Sequence, residues 1–570
     1  MSDTTEEMHV PWKGEISGRT AGTTPEQRWV LGLASLASFM VILDVLVVAT
    51  ALTAIRRHLG ASLGDLEWTV NAYTLSFAVL LMTAAAFGDR LGRRRVFAAG
   101  LAVFTVSSAA CALAPDTGAL IAARAIQGTG AAMIMATALA LLNGAFPPAR
   151  RGWAIGIYGS VTALAAVAGP VLGGAVTQGL GWPWIFWFNV PVALAAIPLV
   201  LRRLTETGRQ GGPVDVPGLL LVTAAALGLV WGLVRGNSAG WGSAGTAGPL
   251  AAGVVAALVF VAWERRAAHP MLPVRLFLSP AFSAGNAVIF VLNASVTGAI
   301  FLMPQFQQVV LGQSPFSAGL RLLPWGIVPF LVAPRAGALA DRVGERSLVI
   351  SGLLLQAAGM AWIAAVAGPG VSYLALVFPM SLFGAGFALA IPALTRSVTS
   401  TVAAADIGKA SGAFSTMRQL GAAFGVAVLG AAFAATGSYA SPSTFSSGFV
   451  TASGVAAGLA LAGAGLGMIL PRHGNRPTPV AARAPESGRP LRAAGVMGDV
   501  ASGDLASGDL SECHATRPER LATRLTPPGR GQLSPHCEAR PARRVQEAVS
   551  LIPSIGRGWW CGCGGRGWSR

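Results

Sequence analysis

The chain has 570 residues, of which 53% are hydrophobic and 11% charged, with a mean hydropathy of +0.60 and a formal net charge of +17. A soluble chain is about 25% charged, so an ordinary soluble enzyme of this length is excluded. Disorder is excluded over most of the chain, because so much apolar surface collapses. The apolar residues fall in runs of about 20, long enough to cross a bilayer. The basic excess is nearly all Arg, with Lys only at Lys13 and Lys409, and it punctuates the apolar runs. That pattern follows the positive-inside rule and argues against nucleic-acid binding.

In chain order the expected elements begin with a polar segment over 1–27. It has no basic region leading into a short apolar core and cleavage site, so the first span is the expected signal anchor. Fourteen spans follow, near 29–55, 68–87, 96–115, 119–143, 152–178, 183–201, 215–234, 246–263, 282–310, 318–340, 347–367, 371–395, 411–436 and 447–470. Many are rich in Gly and Ala, which lets helices approach closely in lipid. One set of connections carries Arg90, Arg93, Arg94 and Arg95, then Arg150/Arg151, Arg202/Arg203/Arg209, Arg265/Arg266/Arg275, Arg342/Arg346 and Arg396/Lys409. The alternate set has few cations, Arg56, Arg57 and Arg235 being its exceptions. The first set is therefore expected on the cytoplasmic side, with both termini.

An internal repeat links the halves. Asp89-Arg90-x-Gly92 after the second span matches Asp341-Arg342-x-Gly344 after the tenth. Repeated halves are a transporter signature. The expected organisation is a tail over 1–27, a six-helix bundle over 28–203, a linker with two extra spans over 204–275, a second six-helix bundle over 276–471 and a disordered cytoplasmic tail over 472–570. That tail holds fifteen Arg against eight acids and the direct repeat 501-ASGDLASGDL-510. Its composition changes abruptly, as out-of-frame translation of GC-rich DNA also would. Its Cys561-x-Cys563 is not a usual zinc spacing. No metal, cofactor or catalytic constellation is expected.

Four features carry chemistry. Asp44 lies inside the first span, where a carboxylate costs about 2.5–3.5 kcal/mol and so usually has a task. Counted from Arg28 it is about 24 Å along the helix, in the outer half. Arg124 in the fourth span lies about 12 Å in from Asp116, at similar depth. The two can therefore sense each other, and an Arg near a protonatable Asp would hold it ionised until substrate or conformation separates them. Gln127, Gly128 and Gly130 share the helix of Arg124. Gly169-Pro170-x-x-Gly173-Gly174 in the fifth span combines a lost backbone hydrogen bond with a thin face, as suits a helix that opens and seals a cavity. The turn 88-GDRLGRRR-95 places Asp89 among cations near a helix N-terminus, where it can act as a cytoplasmic latch. No second acidic residue stands out deep in the later spans. That favours neutral, zwitterionic or singly charged amphiphiles over multiply charged cations.

Over about residues 28–470 the chain resembles the major facilitator superfamily, in particular its fourteen-span drug:proton antiporter branch. The resemblance rests on Leu43-Asp44, Trp68 with Tyr73, the Gly-Asp-Arg-x-Gly-Arg-Arg turn, Arg124-x-x-Gln127-Gly128-x-Gly130, Gly169-Pro170-x-x-Gly173-Gly174 and 418-RQLGAAFGVAVLG-430. It implies two six-helix bundles with two extra central helices, alternating access driven by proton entry, and export of lipophilic small molecules. Asp44 and Arg124 would couple protons. Asp89, Arg90, Gly92, Arg93, Asp341 and Arg342 would gate the inner side, and Gly169, Pro170, Gly173 and Gly174 the outer. Tyr73 and Gln127 would contact substrate. The chain departs from the branch at Leu46, Ala49, Thr53 and Ala85, where Thr, Asn, Pro and Gly are usual. The remaining expectations are a bacterial inner-membrane location, a monomer, and no nucleic-acid partner. A proton-coupled uptake symporter for a polar nutrient is the alternative. The antiporter-type glycine–proline segment argues against it.

Overall fold

The computed structural model describes residues 23–208, 214–403 and 406–472. The tails over 1–22 and 473–570, with the cysteines of the latter, lie outside the described residues. So does the side chain of Asp341.

The described chain is helical, with fourteen helices long and apolar enough to cross a membrane. The first six spans are α1 (Pro25–Leu59), α2 (Leu63–Leu91), α3 (Arg93–Ala112), α4 (Thr117–Ala145), α5 (Pro148–Gly179), and α6 (Trp184–Trp187) continued by α7 (Asn189–Arg203). Two more follow, α8 (Val216–Ala239) and α9 (Ala244–Glu264). The last six are α10 (Pro280–Val309), α11 (Pro315–Arg321) continued by α12 (Leu323–Val343), α13 (Glu345–Val366), α14 (Tyr373–Thr399), α15 (Ile407–Thr436) and α16 (Pro442–Gly467).

Local chemistry sets the helix ends. Thr24 and Gln27 form a reciprocal capping box at the start of α1, and Ser62 with Asp65 forms one at α2. Each satisfies backbone donors that the first turn leaves free. Gly60 ends α1 at φ +66°, a conformation that costs glycine nothing. Both copies of the repeated turn end their helix on a glycine at positive φ, Gly92 at +108° and Gly344 at +83°. The two sequence copies are therefore two copies of one backbone device.

Helices pack where side chains vanish. A Cβ on Gly130 would come within 2.7 Å of the Phe104 backbone nitrogen, and one on Gly425 within 2.0 Å of the Ala294 carbonyl oxygen. Large apolar side chains such as Val106, Leu220, Leu258 and Leu374 are instead exposed on the outside. On a soluble protein they would be an aggregation hazard. Here they are the lipid-facing surface. The extra pair α8–α9 packs together, and α8 touches α2 of the first bundle and α15 of the second. Trp68 and Trp231 meet there with ring centroids 5.4 Å apart.

Candidate functional site

Five spans of the first bundle converge on Asp44, near the middle of α1. Asp44 and Arg124 are each 1% exposed, and the Arg124 Nη1 donates to Asp44 Oδ2. The same Nη1 donates to Gln127 Oε1 at 2.7 Å, and Arg124 Nε donates to the Thr69 carbonyl at 3.2 Å. The other carboxylate oxygen accepts from Gln127 Nε2 at 2.9 Å and from Asn189 Nδ2 at 3.1 Å. Ser108 Oγ accepts from both amides, at 3.3 and 3.1 Å, and donates to the Phe186 carbonyl at 2.9 Å. The buried Cys111 thiol lies 3.6 Å from Gln127 Oε1. Tyr73 closes the other side, its ring centroid 4.2 Å from the Arg124 guanidinium carbon and its hydroxyl donating to the Val41 carbonyl. The result is a closed ion pair whose carboxylate oxygens are matched by donors from α4 and α7.

The spacing of residues on α4 explains the convergence. Arg124 and Gln127 are one turn apart and face α1 together. Gly128 and Gly130 remove the side chains that would hold α4 away: a Cβ on Gly128 would sit 2.3 Å from the Tyr73 carbonyl on α2. The sequence reading brought Asp44 and Arg124 to one depth, and the structure pairs them. It did not single out Asn189, Ser108 or Thr69. Tyr73 and Gln127, expected against substrate, are fully buried within the bundle, and neither faces open space.

The glycine–proline segment lies between the two bundles. On one side Gly169 faces Leu46 and Gly173 faces Val47 and Thr50, all on α1. On the other side Gly174 meets Pro315, and Gly319 meets the Pro170 carbonyl, each so closely that an added Cβ would come within 2.2 Å of backbone oxygen. Gln178 accepts a hydrogen bond from the Phe316 backbone at 3.2 Å. Further contacts close the same end of the molecule. Gln308 of α10 accepts from Thr53 and donates to the Thr50 carbonyl at 3.0 Å. The Arg56 guanidinium carbon lies 4.1 Å from the Tyr439 ring centroid, and the Tyr439 hydroxyl donates to Gln305. This end, opposite the repeated turns, is shut.

Glu67 also lies here. A span starting at Trp68 leaves it outside. Helix α2 begins five residues before Trp68, and Glu67 is buried against Gly430 of α15 with its Oε2 unpartnered.

The turn after α2 is tied to its own bundle. Asp89 pairs with Arg93 at 2.8 Å. Glu206, which the sequence reading passed over, accepts from the Arg94 backbone at 3.0 Å and lies 3.6 and 3.8 Å from the Arg94 and Arg95 side chains. A Cβ on Gly92 would meet that carboxylate at 2.5 Å. Arg90 and Arg342 are exposed. Among the described residues no group of three or more His, Cys, Asp or Glu side chains is placed to hold a metal ion.

The family model of the Major Facilitator Superfamily matches residues 34–426. The chain belongs to the major facilitator superfamily. It is 38% identical over 396 residues to the tetracenomycin C resistance and export protein of Streptomyces glaucescens, covering 69% of this chain and 73% of the relative. It is 39% identical over 420 residues to the cephamycin export protein CmcT of Amycolatopsis lactamdurans, covering 72% and 86%. Among solved structures it is similar to a D-xylose–proton symporter at 15% identity and a TM-score of 0.56, over 78% of this chain and 98% of that one. That similarity shows the fold alone. This major facilitator chain is thus a multi-pass membrane transporter of small molecules, with the superfamily's two six-helix bundles and an added central pair.

Proposed function

We propose that this transporter exports lipophilic small molecules, of the antibiotic or natural-product type, in exchange for protons. The two curated relatives described above are export proteins by name. The observation that carries the coupling half is the enclosed Asp44 carboxylate, bound at once to a guanidinium and two amides. Protonating Asp44 removes the negative half of the pair and turns one carboxylate oxygen from acceptor to donor, facing groups that are themselves donors. The arrangement then has to change, and it is bistable in the way an alternating-access switch requires. In this reading Gln127 and Tyr73 hold the pair's geometry. The α5 glycines and Pro170 form the outer closure. Asp89, Arg90, Gly92 and Arg93, with Asp341 and Arg342 in the second half, act at the inner side. The Arg-rich connections support an orientation in a bacterial inner membrane with both termini cytoplasmic, and in this reading the working unit is a monomer.

Inverted membrane vesicles test this. A pH-sensitive dye reports the proton gradient while lipophilic compounds are added, for wild type and Asp44→Asn in parallel. Dissipation in wild type that is lost in the variant supports the reading. Equal dissipation in both puts the proton site elsewhere, and none in either refutes proton-driven export of those compounds.

A further inference from the structure

A second membrane-embedded arginine has no counter-charge among the described residues. Arg418 stands on α15, about 17 Å from the start of that helix at 1.5 Å per residue, close to mid-membrane. It is half-buried, and none of its nitrogens makes a hydrogen bond or ion pair with the described residues. Nor is any of them sealed off as a buried unpartnered atom, so the guanidinium opens onto accessible space. The titratable group that acts on it electrostatically is Tyr158, on α5 of the other bundle. The Tyr158 hydroxyl donates to Ser38 Oγ at 2.8 Å and lies 3.8 Å from the Met135 sulfur. Among the described residues no carboxylate is close enough to act on Arg418, and its titratable neighbour belongs to the opposite bundle. Of the first bundle's buried acids, Asp44 is already paired with Arg124, and Glu67 meets α15 at Gly430, about 18 Å along that helix from Arg418.

An intramembrane Arg normally pairs with an acid or with carbonyls, or marks a substrate path. Its five donors in a planar fork match a carboxylate or a similar oxyanion in a bidentate way that Lys cannot copy. We propose that Arg418 anchors an anionic group of the transported molecule, so that the preferred substrates of this site are lipophilic monoanions. The counter-charge missing from the protein then arrives with the ligand. This rests on the transporter reading above and narrows its substrate class. It sharpens the expectation of neutral, zwitterionic or singly charged amphiphiles to the last of these, with a negative sign.

The test is equilibrium binding to the full chain in nanodiscs, with no gradient, using 7-diethylaminocoumarin-3-carboxylic acid and its uncharged ethyl ester. Wild type is expected to bind the acid at least tenfold more tightly than the ester. Arg418→Gln should lose that preference while binding the ester within about twofold of wild type, and Arg418→Lys should keep part of it. The proposal is overturned if wild type binds the ester equally well or binds neither, or if Arg418→Gln retains the preference. Should Arg418→Gln fail to fold, the wild-type preference and the Lys variant still decide. Discs with and without anionic lipid form a further arm. Unchanged acid binding supports a transported anion, and displacement of the acid by anionic lipid assigns the site to a headgroup and overturns the proposal. Loss of proton antiport in vesicles would leave this binding result standing, and the reverse also holds.

Discussion

Breaking the Asp44–Arg124 pair is expected to cost more than either residue is worth alone. In Asp44→Asn the amide can offer its oxygen either to Arg124 or to the Gln127 and Asn189 amides. Its NH2 then faces donors on the other side, and a guanidinium that is 1% exposed loses its counter-charge. Removing one partner of a buried pair costs about 3–5 kcal/mol. Arg124→Gln leaves a carboxylate that keeps two amide donors and can take up a proton, so about 3 kcal/mol is expected, the lower end of the same range. The double variant Asp44→Asn/Arg124→Gln has no buried charge, and its four neighbouring amides can rearrange. It is expected to be no less stable than the worse single variant. The resulting coupling lies at the top of the usual range for contacting residues, about 3 kcal/mol. SDS-titrated unfolding in mixed micelles of wild type, the two single variants and the double variant measures it. Additivity within about 0.5 kcal/mol would mean that the two charges do not depend on each other, and would refute the pairing as an energetic unit.

The glycines supply further expectations. Gly425→Ala is expected to lower the thermal midpoint markedly, because its Cβ would lie 2.0 Å from a backbone oxygen that cannot move away. Gly430→Ala should be tolerated, since the atom it meets is the end of the flexible Glu67 side chain. Equal effects in thermal unfolding would contradict that distinction. Gly319→Val should pry α11 from Pro170 and open the shut end. A cysteine placed at the buried Thr177 of a cysteine-free background would then react at least tenfold faster with an impermeant maleimide, and an unchanged rate would show that α5 and α11 do not form the closure. Glu206→Gln should speed hydrogen exchange across residues 93–95 while changing global stability by less than about 1 kcal/mol, because its ion pairs are partly solvated. A large loss of stability would give Glu206 a role in the fold that its contacts do not show.

What could be read before the structure was whatever carries a charge or a long apolar run. The fourteen spans and the two-fold repeat follow from hydropathy and from the paired Asp-Arg-x-Gly turns. The meeting of Asp44 with Arg124 follows from counting rise along two antiparallel helices. Asn189, Ser108 and Thr69 escaped because uncharged polar residues are common in membrane helices, and one of the three contributes only a backbone carbonyl. Glu67 escaped because hydropathy draws the edge of a span where charge begins. The Ser62–Asp65 capping box, which is legible in the sequence, starts the helix earlier. Arg418 was visible as the first residue of a motif. Its lack of a partner is a three-dimensional fact, since it depends on which side of α5 faces α15.

In the mechanism proposed above recognition and coupling are separate, and α1 and α5 link the Asp44 pair to the shut end. The Asp44 pair is sealed inside one bundle, so a proton change there acts on α1 rather than on a ligand directly. Within the next two turns of α1, Leu46, Val47 and Thr50 are the residues against which Gly169 and Gly173 of α5 pack. The opposite face of that same segment, at Pro170 and Gly174, meets Gly319 and Pro315 of the second bundle. With no Cβ to absorb a displacement at any of these contacts, a small shift of α1 must either be carried through α5 or break its packing. Close-packed interfaces of this kind switch between discrete arrangements rather than deform smoothly. That mechanism needs glycines on both faces of α5 at once, in keeping with two adjacent residues, Gly173 and Gly174, that meet different bundles. A segment with only one thin face could seal the end but could not transmit the state of Asp44 to the seal.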